Sequence, residues 1–173
     1  MRLVSWVRFT WNLKNLPENP PALPENYALR RAVKQEEKTV LKVIHNSLGL
    51  DSDWLDVSQQ LFQNIENCVK VAFAQKDIPC IVLCHGTRIV GASVLTFESD
   101  PVSHLTSGPC ILIEYRNRGF GSALLYESLQ VLKSASLHHV YGITKKTCPS
   151  AKFVYPKFNG TGVDFELNTK LSS

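Results

Sequence analysis

The sequence lacks a long apolar run, a regular spacing of cysteines and a strong excess of charge. No stretch of its 173 residues approaches the ~18 consecutive apolar residues that a membrane-spanning helix needs. The first residues, MRLVSWVRFTW, interrupt their apolar side chains with Arg2 and Arg8, which makes them a poor signal peptide. We therefore expect a cytoplasmic protein with no membrane partner.

The cysteines form no recognisable framework. There are five of them, an odd number without regular spacing, which argues against a disulfide-stabilised fold. Cys80 and Cys84 on one strand would lie about 13 Å apart along the chain, too far to share a metal ion. We therefore expect buried free thiols and no metal site.

The charge is only mildly positive, at +4, with 20% charged residues. Such a balance suits an anionic ligand, whereas a nucleic-acid-binding protein usually concentrates basic and aromatic side chains together. We expect no nucleic-acid partner, and an interaction domain that uses the basic face is the weaker alternative. The apolar fraction of 44% is enough for one buried core.

The residue pattern predicts a mixed α/β fold with an antiparallel start and a parallel crossover in the middle. Alternation and β-branched runs predict strands, and apolar residues at helical spacing predict helices. The predicted strands are 27–33, a hairpin within 78–99, CILIEY (110–115), 138–144 and 162–171. The predicted helices are 34–50, 54–75 with a break near Asn67, 119–136, and 149–158 with Pro156 as its end or bend.

The N-terminal region is predicted to stand apart from this core. Residues 3–13 alternate apolar and polar side chains as a strand does, and the proline-rich stretch 16–26 cannot form regular structure. We therefore predict an N-terminal strand and arm over 1–26 and a single domain over 27–173. We expect the extra strand to pair with the core sheet, either within the chain or in a partner, which leaves a homodimer open.

A turn with two glycines joins the predicted strand at 110 to the helix after it. In Arg116-Asn117-Arg118-Gly119-Phe120-Gly121, the glycines let the backbone approach a ligand closely, and the first amides of the helix point outward together. The stretch matches neither the GxxxxGK[ST] nor the GxGxxG phosphate loop. An anion site or an ordinary strand-to-helix corner therefore remain the two interpretations.

At this turn the sequence resembles the GNAT superfamily of N-acetyltransferases. The family signature is Gln or Arg, two free positions, Gly, one free position, then Gly or Ala; Arg116, Gly119 and Gly121 fill it. Element order fits the family over 27–170. A second match is Ala151 followed by Tyr155 and by Lys157-Phe158, although Cys148 replaces the usual Asn and Asn159 the usual Gly. The resemblance implies a GNAT-like, mostly antiparallel sheet with a splayed parallel strand pair and helices on both faces.

The resemblance implies acetyl-coenzyme A as cosubstrate. Its pyrophosphate would rest on the backbone amides of the turn, and its pantetheine arm would pair like an extra strand with the strand before it, while 138–144 splays away. The implied cofactor-binding residues are Cys110, Ile111, Leu112, Ile113, Arg116, Asn117, Arg118, Gly119, Phe120, Gly121 and Ser122.

The resemblance also implies direct acetyl transfer to a primary amine of a small molecule or protein. Tyr155 is the candidate acid that protonates the departing thiolate, and an amide near Ile111 or Ile113 is the candidate oxyanion donor. The base that deprotonates the amine stays open among Glu98, His104, Glu114 and water. The acceptor is unknown, with 48–66 and 98–108 as its candidate loops. The alternative is a non-catalytic sensor that binds acyl-coenzyme A.

Overall fold

The first described strand lies between the last two described strands. In the computed structural model, which describes residues 4–49 and 59–166, β1 (Trp6–Asn12) pairs antiparallel with both β6 (His139–Lys145) and β7 (Thr161–Phe165). Alternate side chains of β1, at Val7, Phe9 and Trp11, are buried, as its sequence predicts. The expected pairing of the N-terminal strand with the core is thus confirmed, and its partner strands belong to the same chain.

A second antiparallel sheet has the order β2 (Tyr27–Arg31), β3 (Cys80–His85), β4 (Arg88–Val94) and β5 (Cys110–Ile111). The predicted β3–β4 hairpin is present, and Gly86 takes the positive φ, +59°, of its turn. Nearly every residue of β3 and β4 is buried. Since successive strand residues face opposite sides, both faces of this sheet are covered.

The helices supply that cover: α1 (Glu37–Gly49), α2 (Gln59–Phe73), α3 (Phe120–Ser134) and α4 (Pro149–Phe153). The predicted break near Asn67 is wrong, because the buried stripe of Ile65, Val69 and Ala72 continues past it without interruption. The fourth helix is also shorter than the predicted 149–158 and ends before Pro156. None of the described helices is long and apolar enough to cross a bilayer.

The strand predicted as CILIEY is mostly not a strand. Only Cys110 and Ile111 are strand residues paired with β4, the amide of Leu112 donates one further bond to Val90, and a 3-10 turn occupies Ile113–Tyr115. The amides of Tyr115 and Arg116 donate within this turn, to the carbonyls of Leu112 and Ile113. An apolar run does not reveal where the backbone stops pairing, since the same residues suit a buried turn.

The two sheets meet at one point and then separate. The amides of His104 and Leu105 both donate to the carbonyl of Tyr141 in β6, which ties the chain before β5 to that strand. Beyond this junction no described hydrogen bond joins β5 to β6, and each forms an edge of its own sheet. The structure therefore confirms a mixed fold with mostly antiparallel sheets and a splayed strand pair.

Candidate active site

The turn before α3 presents a row of backbone amides. Asn117 and Gly119 both take positive φ, 62° and 81°, and Gly119 is the residue that caps α3. Among the described residues, no acceptor takes the amides from Asn117 to Ser122, while the amide of Ala123 makes the first helical bond, to Gly119. The first turn of α3 contains no acidic residue. This geometry suits an anion at the positive end of the helix dipole.

Arg116 is expected to bind the cofactor with the other residues of the turn, but both its amide and its side chain have partners within the protein. Its amide already donates to the carbonyl of Ile113. Its guanidinium faces inward, where Nε donates to the carbonyl of Ile111 at 3.0 Å and one terminal nitrogen to the carbonyl of Ser47 at 2.7 Å. Arg116 thus holds the turn, β5 and the end of α1 together, and its amide is not free for a phosphate.

The outer edge of β5 faces the gap between the sheets. The amide of Leu112 donates to Val90 of β4, so by alternation the backbone groups of Cys110 and Leu112 point toward β4 and those of Ile111 point away from it. The sequence predicts that all four residues over 110–113 offer backbone groups to a ligand, whereas the structure turns fewer of them toward the gap. Ile111 is the one residue of β5 with outward backbone groups, because Ile113 already belongs to the 3-10 turn.

A cavity of about 460 Å³ fills the gap and connects these features. Its walls include the turn from Arg116 to Ser122, except for Arg118, together with Cys110 and Ile111 of β5. Ile143 and Thr144 of β6 and Tyr155 line the opposite side. Arg118 lies outside the wall, where it donates to the carbonyl of Glu114 and stacks near Tyr115.

Tyr155 lines the same cavity, with only 3% of its surface exposed. Its ring meets the rings of Phe9 and Trp11 edge to face, with centroids 5.5 and 5.7 Å away. Burial raises the pKa of Tyr155, and the nearby thiols of Cys110 and Cys148 raise it further. The phenol is therefore protonated at neutral pH and available as a hydrogen-bond donor.

The space for this hydroxyl depends on Gly108. A Cβ at Gly108 would collide with the Tyr155 hydroxyl oxygen, and the φ of Gly108 is +67°. Trp11 is fixed in turn, because its indole nitrogen donates to the carbonyl of Lys157 at 3.1 Å. Sequence reasoning missed Phe9, Trp11 and Gly108 as supports of Tyr155, although the alternation of β1 predicts that Phe9 and Trp11 share its buried face.

The three base candidates occupy different surroundings. His104 is fully buried, and its Nδ1 accepts from the amide of Tyr141 while Nε2 donates to the carbonyl of Glu98. Both ring nitrogens are thus engaged with backbone, and burial lowers the pKa of His104. Glu114 is exposed and pairs with Arg88 at 3.3 Å. Glu98 is exposed and lines a second cavity that adjoins the first.

No protein-family model matches the sequence, and no curated protein matches it. Solved structures do match the fold. A GCN5-related N-acetyltransferase from Sphaerobacter thermophilus superposes with a TM-score of 0.67 at 15% identity, covering 94% of this chain and 50% of that one. A GNAT-family acetyltransferase from Colwellia psychrerythraea gives 0.62 at 13% identity, covering 94% and 54%.

A functionally unknown conserved protein from Staphylococcus epidermidis also matches, with a TM-score of 0.59 at 13% identity and coverage of 94% and 59%. The chain thus spans between half and three fifths of the length of these structures. At such identities the likeness concerns the backbone arrangement, and a shared backbone arrangement does not by itself fix a reaction. The described chain therefore has the fold of the GNAT N-acetyltransferases.

Proposed function

We propose that the protein is an acetyl-coenzyme A-dependent N-acetyltransferase that acts on a primary amine by direct attack. One observation carries the proposal. A single cavity connects a row of free helix-start amides, the open edge of β5 and the hydroxyl-bearing Tyr155. In acetyl-coenzyme A, the diphosphate needs backbone amides, the peptide-like pantetheine arm needs a strand edge, and the leaving sulfur needs a proton donor. These three parts follow one another along the cosubstrate as their partners do along the cavity.

The residues present suit the cosubstrate. The amides from Asn117 to Ser122 would bind the diphosphate, with Arg118 beside them as a source of positive charge. The outward carbonyl of Ile111 already accepts from Nε of Arg116, so its amide is the outward backbone group of β5 that the cosubstrate can use. The pantetheine arm would lie along this edge of β5. The thioester would then lie between β5 and β6, where the Ile111 amide can stabilise the oxyanion.

Transfer needs three proton movements. The amine must be neutral to attack, yet a lysine-type amine has a pKa near 10.4, so it first gives up a proton to Glu98 or to water. Its nitrogen bonds to the thioester carbon and then loses a second proton to water, and the carbon–sulfur bond breaks. The Tyr155 hydroxyl donates to the departing thiolate, and the proton is replaced from solvent. His104 is not assigned as the base, because both of its nitrogens are engaged.

Thermal denaturation with acetyl-coenzyme A tests the cofactor step. We expect the Tm to rise with millimolar cofactor and Gly121→Glu to abolish the rise, because it puts negative charge at the phosphate. Gly121→Ala is the matched control, since a Cβ there would meet only Val154 at an ordinary 3.4 Å. An unchanged Tm of the wild-type protein on addition of millimolar acetyl-coenzyme A would refute the proposal.

Release of coenzyme A thiol with a panel of amines tests turnover. We expect Tyr155→Phe to lower kcat while the cofactor-induced rise in Tm persists. Cofactor binding without thiol release from any amine would favour the alternative, a sensor of acyl-coenzyme A.

A further inference from the structure

A second cavity, of about 490 Å³, lies next to the proposed cofactor cavity. Its walls are α2 and the segment that runs from the end of β4 to Ser107. Leu48, Ser107 and Ile143 line both cavities, so the two share a wall at the gap between β5 and β6. A molecule in the second cavity would reach the place where the thioester lies.

The wall of the second cavity is mostly apolar. The apolar side chains come from both of its elements, with Leu61 and Ile65 on α2 and Leu95 and Leu105 on the opposite side. Val71 is 65% exposed and belongs to the same wall. An occupant that buries a hydrocarbon or aromatic body there is stabilised by the apolar surface that it removes from water.

The charge of this wall has one sign. Among its described residues Glu98 is the sole ionisable acid or base apart from the thiol of Cys68, and no Lys, Arg or His takes part. Cys68 and Glu98 line the same cavity, burial raises the pKa of Cys68, and the negative charge of Glu98 raises it further.

We propose that the acceptor is a primary amine on an apolar body, such as an arylalkylamine, which carries no carboxylate or phosphate. This inference rests on the proposed function and names its substrate class. Glu98 attracts the ammonium form to the cavity and accepts its proton, while the apolar wall receives the rest of the molecule.

The same surfaces disfavour other common acceptors. The carboxylate of a free amino acid would meet Glu98 with no opposing cation among the described residues of the wall, and like charges brought together lower affinity. Among the described residues of the wall, no acid other than Glu98 could pair with the second ammonium of a polyamine, which would have to leave water for an apolar surface.

A matched pair of amines tests the inference. Phenethylamine and L-phenylalanine share the aromatic body and differ by one carboxylate, and spermidine serves as the polyamine. With acetyl-coenzyme A saturating, we expect kcat/KM for phenethylamine to exceed that of each of the other two by at least tenfold. Equal or faster acetylation of L-phenylalanine or spermidine would overturn the inference and leave the acetyltransferase proposal standing.

Variants of the exposed Val71 supply the second test. Val71→Arg adds a positive charge to the wall and should raise the KM for phenethylamine about tenfold, the size of a lost charge-assisted contact. Val71→Gln is the matched neutral control and should change it less than threefold. In both variants the Tm and its rise with acetyl-coenzyme A should match the wild type. An unchanged phenethylamine KM in Val71→Arg would overturn the assignment of this cavity. If no amine is acetylated by the wild type, the proposed function itself has failed.

Discussion

Replacing Gly108 by Ala should destabilise the protein through two separable effects. The first is backbone strain, because a side chain at φ +67° costs about 1 kcal/mol. The second is a steric clash, because the new Cβ collides with the Tyr155 hydroxyl in a packed site, which typically costs about 1–3 kcal/mol. The free energy of unfolding should therefore fall by about 2–4 kcal/mol, measured by urea denaturation.

The clash can be isolated with two further variants. Gly86→Ala has a similar φ, +59°, but open space around the Cβ, so it should show the strain alone. Tyr155→Phe removes the oxygen that collides, and the remaining ring carbon lies 3.7 Å from the Cβ, an ordinary contact. The double variant Gly108→Ala/Tyr155→Phe should thus recover the clash term, about 1–3 kcal/mol relative to the sum of the single changes.

The same series reports on the site. Gly108→Ala displaces the hydroxyl from the cavity, so it should lower kcat as Tyr155→Phe does, and the double variant should lose no more than either single one. Additive stability effects, or equal losses in Gly108→Ala and Gly86→Ala, would show that the Tyr155 hydroxyl does not lie against Gly108.

Three further outcomes follow from other contacts. Arg116→Lys should lower the free energy of unfolding by about 1.5–3 kcal/mol, because an ammonium cannot reach both the Ile111 and Ser47 carbonyls, and urea denaturation measures it; an unchanged midpoint would contradict that bridge. Deleting residues 1–25 removes β1, so the Tm should fall sharply in calorimetry; equal melting would mean that β6 and β7 do not need it. His104 has a lowered pKa when folded, so the unfolded state takes up its proton first and stability should fall as pH drops below about 6.5. His104→Gln should flatten that slope in denaturation series at pH 7 and pH 5, and an unaltered slope would assign it to other groups.

The sequence predicts the parts of the fold that depend on local patterns. The hairpin around Gly86, the helix after Gly119 and the buried face of β1 all follow from residue periodicity and turn chemistry. The end of β5 at Ile111 does not, because apolar residues suit both a strand and a buried turn.

The site shows the same division. The residues of the glycine turn by themselves predict an anion site. The inward direction of the Arg116 side chain, in contrast, depends on its hydrogen bond to Ser47, 69 positions earlier. The support of Tyr155 by Trp11 likewise joins elements that are distant in sequence. Such contacts are set by tertiary packing, which leaves no local signature.

The position of β1 has a consequence for how the polypeptide acquires its structure during synthesis. Thr10 pairs with Thr161 and Phe9 with Gly162, so during synthesis β1 must wait for a partner strand about 150 residues further along the chain. Until then the indole and phenyl rings of β1 have no permanent cover and are open to chaperones or to misassociation. Loop closure over such a span is entropically slow. The final pairing of β1 would then complete the aromatic support of Tyr155. Activity should therefore appear only in molecules in which β1 has paired with both β6 and β7.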